Sequence, residues 1–99
     1  MIENITVLGN IIIIEGQIRN VKDYSLIRYE VEKIRCSYDS IVFIIKDSKI
    51  ITSSLASYIM KLINVDKLVV KVLVGNEFLY DVLVSVHLID KLNVIRLDV

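Results

Sequence analysis

Apolar positions in this chain change period several times, and each change marks an element. Ile5-Thr6-Val7-Leu8 and Ile11-Ile12-Ile13-Ile14 are β-prone runs separated by Gly9-Asn10, a two-residue turn of the kind that closes a hairpin. Four consecutive isoleucines leave no polar alternation, which predicts a strand buried on both faces, inside a sheet with helices against it. Gly16 lets the chain bend away. Asn20 is placed to cap a helix with Asp23 in its first turn, and Tyr24, Ile27, Val31 and Ile34 keep the three- and four-residue spacing of a buried stripe. Cys36 to Ser40 breaks that period, Ile41 to Ile45 reads as a second interior strand, and Lys46 to Lys49 as a polar loop.

The next stretch organises the chain. A short apolar strand, Ile50-Ile51, runs through Thr52 into the adjacent serines Ser53 and Ser54, and Leu55, Ile59 and Leu62 then recur at helical spacing over Leu55 to Ile63. Leu68 to Val74 is a further strand, stopped by Gly75. Asn76 is a cap for a third helix, whose apolar face is formed by Phe78, Val82 and Val86 with Leu79 and Leu83 beside them. Val94 to Leu97 is a short last strand. The order strand, strand, helix, strand, helix, strand, helix, strand predicts one α/β domain over 1-99, with a mixed, mostly parallel sheet, an N-terminal β-hairpin and about three helices joined by right-handed crossovers.

Composition narrows the function. A chain of 99 residues, 55% hydrophobic and without proline, is suited to one packed core, and twelve basic against twelve acidic residues give no overall charge to attract nucleic acid or an anionic membrane. No apolar run reaches membrane-spanning length and the N-terminus lacks a signal-peptide pattern, so the cytoplasm is the expected compartment and no membrane insertion is expected. One cysteine, Cys36, and one histidine, His87, exclude a disulfide framework and a Cys/His metal cluster. Neither has the partners of a catalytic group, and Gly75-Asn76 alone is no phosphate loop. The expectation is a non-enzymatic protein with no cofactor and no metal.

At Ser53 and Ser54 two readings stand side by side. A serine at a helix start caps free backbone N–H groups, and it is also where an added phosphate is tolerated by the helix dipole. Tyr58, taken as exposed beside the junction, is a candidate partner anchor.

Over nearly its whole length the chain resembles the STAS domain family, the sulfate-transporter and anti-sigma-antagonist fold. Ile12-Ile13-Ile14-Glu15-Gly16-Gln17-Ile18 is similar to the family strand that ends in glycine. Ile51-Thr52-Ser53-Ser54-Leu55-Ala56 sits where members carry an Asp-Ser-Ser-Gly-Leu-Gly type sequence. Leu68 to Gly75 and Asn76 to Val94, with Leu88-Ile89-Asp90-Lys91-Leu92, resemble the family's fourth strand and following helix-loop. Thr52 stands at the family's aspartate, Leu55 at its next glycine, and Ile44 near an acidic residue often found on the preceding strand. The resemblance implies a bacterial anti-sigma factor antagonist acting in transcription regulation. In such proteins an anti-sigma kinase phosphorylates the junction serine, which here corresponds to Ser54 with Ser53 beside it; the expected partner surface of this chain is Thr52, Ser53, Ser54, Leu55 and Tyr58 with the exposed side of the helix Leu55 to Ile63. A second implied role is a constitutive small subunit bound to a lipid-transporter ATPase. Self-association is a third reading, a homodimer covering the Ile2-to-Leu8 edge strand.

Overall fold

The computed structural model describes residues 1–97. The elements are β1 (Ile2–Leu8), β2 (Ile11–Gly16), α1 (Val21–Ile34), β3 (Ser40–Ile45), α2 (Ser53–Asn64), β4 (Val69–Val74), α3 (Glu77–Ser85) and β5 (Val94–Arg96). The predicted order of elements is present, and β1 extends three residues further toward the N-terminus than its apolar run, with an irregularity between Ile2 and Asn4. The strands form one sheet in the order β1-β2-β3-β4-β5, antiparallel between β1 and β2 and parallel elsewhere. A hairpin followed by three crossovers therefore builds a mixed α/β sheet.

The spatial order equals the chain order, so every crossover steps in the same direction. Right-handed connections then place all three helices on one face of the sheet. Burial agrees. Ile12, Ile14, Ile41, Phe43, Ile45, Val70, Val72, Val74 and Val94 are buried in one core with Ile27 and Val31 of α1, Leu55, Ile59 and Leu62 of α2, and Leu79 and Leu83 of α3. The intervening residues Ile11, Ile13, Val42, Ile44 and Leu73 are only partly covered and do not join that core. The expectation that the four isoleucines are buried on both faces is thus corrected. β2 is interior in the sheet, but only one face of the sheet carries helices.

Two further expectations change. Ile50 and Ile51 are not a strand; they belong to the connection from β3 to α2. In α3 the buried residues are Leu79 and Leu83, whereas Phe78 is 59% and Val86 53% exposed. Asn76 caps the helix as expected, its Oδ1 accepting the Leu79 N–H at 3.0 Å, and it is Leu79 and its i+4 neighbour Leu83 that pack into the core on the sheet side.

At the start of α1, Asn20 caps as expected, its Oδ1 accepting from the Asp23 N–H at 3.0 Å. Asp23 is itself buried and accepts from the N–H groups of Arg19 at 2.9 Å and Ile2 at 3.4 Å, which ties the first strand to the helix. The Arg19 N–H holds the Asp23 carboxyl below its ordinary range, outweighing the effect of burial, which acts in the other direction. A carboxyl with a lowered folded-state pKa contributes stability above its unfolded value of about 3.9, and loses it as pH falls through the folded value. Asp23→Ala is expected to cost about 1–3 kcal/mol at neutral pH, from unsatisfied buried donors, and to flatten the acid limb of a urea-midpoint series taken downward from pH 5.

Candidate functional site

The connection between β3 and α2 delivers Thr52, Ser53 and Ser54 to the carboxyl end of the parallel strands, and it is held more firmly than its polar sequence predicts. Ser48, in the expected polar loop, is completely buried; its Oγ accepts the Ile18 N–H at 2.9 Å and donates to the Ile50 carbonyl at 2.6 Å. Gln17 clamps the same loop from the other side, accepting from the Lys49 N–H at 3.0 Å and donating to the Asp47 carbonyl at 3.2 Å. Gly75 completes the fit. A Cβ there would stand 2.5 Å from the Lys46 carbonyl oxygen, so only glycine lets β4 pass this close to the end of β3.

Thr52 is the cap of α2. Its backbone is extended, with φ −76° and ψ 154°, and its Oγ1 accepts the Leu55 N–H at 3.1 Å. This corrects the expectation that a serine caps this helix and that Thr52 ends a strand. Ser53 and Ser54 are the first two helical residues, both exposed, with their hydroxyls free of the capping role. Thr52→Ala is expected to lower stability by about 1 kcal/mol, against less than about 0.5 kcal/mol for Ser53→Ala or Ser54→Ala, as read from denaturant midpoints.

Leu55 and Tyr58, predicted at the partner surface, are core residues with 0% and 5% exposure. Leu55 belongs to the buried stripe. The Tyr58 ring packs edge-on against Tyr24 with centroids 6.0 Å apart, and its hydroxyl donates to the Glu32 carboxylate. Burial and that carboxylate push the phenol well above its ordinary range, while the same hydrogen bond, with Arg35 at 3.2 Å, lowers Glu32. Arg35 also meets Asp66 at 2.9 Å, so the ends of α1 and α2 are linked through one guanidinium. Tyr58 is therefore a brace beneath the surface, too buried to anchor a partner.

Two concavities flank the serines. A pocket of about 430 Å³ is lined by Tyr24, Arg28, Ser53, Ser54, Ser57, Tyr58 and Lys61. Its Arg28 guanidinium lies 5.7 Å from the centre of the Tyr58 ring, within cation–π range, and Lys61 stands one turn along α2 from Ser57. On the other side an apolar groove of about 380 Å³ runs between α2 and α3, lined by Ile50, Ile51, Thr52, Ser53, Ala56, Ser57, Met60, Leu79, Val82, Leu83, Val86 and Leu88. Ser53 and Ser57 line both, so the first turns of α2 form a ridge between a cationic hollow and an apolar one.

The residues that complete this arrangement, Arg28, Ser57, Lys61, Met60 and Val86, come from three segments. Ser57 and Lys61 had a local signal, lying at i+3 and i+7 from Ser54. Arg28 and Val86 had none, because only the packing of α1 and α3 beside α2 brings them near. His87, with φ 61°, and Cys36, exposed in the turn Arg35–Ser37 that follows α1, line neither concavity. Comparison with protein-family models, with curated proteins and with solved structures finds no match for this chain.

Proposed function

We propose that this chain is a non-enzymatic protein-binding domain of STAS-like type, and that a partner docks over the ridge at the start of α2 under the control of serine phosphorylation. The observation that carries the reading is the position of Ser53 and Ser54. Both are exposed in the first turn of α2, next to an apolar groove that a partner side chain can fill and a hollow that already holds Arg28 and Lys61. Free N–H groups and the helix dipole favour negative charge there, so a phosphate is accommodated without unfolding the helix, while the docking surface loses its positive charge.

In the chemistry of the switch this chain is the acceptor only. Ser54 Oγ attacks the γ-phosphorus of a nucleoside triphosphate bound to a partner kinase, its proton passes to a base on that kinase, and a nucleoside diphosphate leaves. Ser53 is the neighbouring acceptor. No cofactor of this chain is required, and the nucleotide supply fits a cytoplasmic location. No helix among the described residues is long and apolar enough to cross a membrane.

The reading agrees with the anti-sigma-antagonist resemblance and with a kinase-like partner. It is tested by isolating the protein from its native cells and mapping modification by mass spectrometry. A phosphate on Ser54 or Ser53 together with a kinase-like partner is the expected result. An unmodified chain bound to a transporter ATPase would replace the switch by a constitutive subunit role.

A further inference from the structure

The face of the sheet opposite the helices carries a continuous apolar surface, and its chemistry indicates what covers it. Register places Ile13, Ile44, Leu73 and Ile95 in one row across four strands, with Ile11 and Val42 in the next row and Leu8 beside Ile11. Leu8 is 58% exposed and Ile95 47%, and none of these side chains joins the helix-covered core. Helices α1, α2 and α3 are all committed to the other face by their own buried stripes. An apolar patch of a few hundred Å² is often functional on a monomer.

We propose that this face is the interface of a homodimer, two copies packing sheet against sheet. Charge placement supports a second copy as the occupant. Relative to Ile44, Lys71 lies one strand toward β5 and one row toward the strand N-termini, since it pairs with Val42. Glu15 lies one strand the other way and one row toward the C-termini, two residues beyond Ile13 and level with Asn4. A two-fold axis between the faces, passing over Ile44 and perpendicular to the Glu15–Lys71 diagonal, sets each Lys71 over the other copy's Glu15. Strand spacings of about 4.8 Å and rises of about 3.3 Å make the strands of the two copies cross at roughly 70°, nearer the orthogonal than the aligned class of sheet packing.

Within one copy these charges are poorly used. Among the described residues no carboxylate pairs with Lys71, and Glu15 has only Lys46 at 3.7 Å and the Asn4 amide at 3.5 Å. A formal net charge of zero leaves no general repulsion between copies. The area fixes the strength. Five strands by about three rows cover roughly 400 Å² in projection, about half of a standard partner surface of some 800 Å², so the dimer is weak and reversible.

The docking ridge at the start of α2 lies in the helix layer, so this inference is independent of the proposed function. Sedimentation equilibrium of the full chain, from micromolar to submillimolar concentration, tests it. The mass is expected to rise with concentration from 11.4 kDa toward twice that value. Lys71→Glu, an exposed site that does not threaten the fold, is expected to weaken association about tenfold, and Lys71→Glu with Glu15→Lys to restore it. Ile44→Glu should leave a folded monomer, checked by circular dichroism. A monomer at every concentration overturns the inference, as does a dimer that survives both Lys71→Glu and Ile44→Glu, which would place self-association elsewhere, such as the β1 edge.

Discussion

Phe43→Ala is expected to destabilise the domain by about 3–5 kcal/mol, the range for removing a fully buried aromatic side chain. Phe43 has 0% exposure, stands on the central strand and shares its row with Ile12 on one side and Val72 on the other. The close-packed neighbours can relax only partially into the space, so a cavity term adds to the lost transfer free energy. For a domain of this size the loss is a large share of the whole folding free energy, which is on the order of 5–15 kcal/mol. Urea unfolding checks it: the midpoint should fall sharply with little change in slope, whereas a small shift at constant slope would mean that the core re-forms around alanine. The consequence reaches the site, because β3 carries the clamped loop that presents Ser53 and Ser54.

Phosphoserine installed at position 54 is expected to weaken partner docking by at least about tenfold while leaving the fold intact. The modification adds about −1.5 to −2 charges in the first turn of α2, where the helix dipole favours them by about 0.3–1 kcal/mol. Arg28 and Lys61 border the same pocket and are available to the phosphate oxygens, so the hollow changes from cationic to nearly neutral. Thermal unfolding of the modified chain should shift little or upward. A fall of several degrees would show that the phosphate strains the turn, contrary to this account. Comparison with Ser54→Ala, which keeps the partner, separates the charge from the loss of the hydroxyl.

Local signals carried most of the fold. Gly9-Asn10 between two apolar runs placed the hairpin turn, and Asn20 and Asn76 marked two helix starts that the hydrogen bonds at Asp23 and Leu79 bear out. The stripe Leu55, Ile59 and Leu62 is buried as its spacing predicts. What periodicity could not convey was which side of a sheet is covered. An Ile-Ile-Ile-Ile run reads as buried twice over, yet the strand order decides that the crossovers all fall on one face, and strand order is a property of the whole chain.

At the start of α2 the sequence places the helix to within two residues and misassigns the capping role. Thr52 and the serines compete for the same cap, and a shift of one residue moves Ser53 and Ser54 from capping to exposed helical positions. Proximity to the serines makes an exposed Tyr58 a candidate anchor, but its place beside Ile59 on the inward side of α2 buries it against Tyr24 and Glu32. Arg28 and Val86 were invisible because their nearness to α2 is a matter of tertiary packing.

Docking of a partner on the ridge between the apolar groove and the Arg28–Lys61 hollow is decided by partner retention. The tagged chain, a Met60→Glu variant that places a charge in the groove, and the chain carrying phosphoserine at position 54 would be compared for capture of the native partner, with equal folding checked by circular dichroism. Capture by the unmodified chain and loss with both changes is the expected result. A partner held equally by all three would contradict it and move the docking surface away from the start of α2.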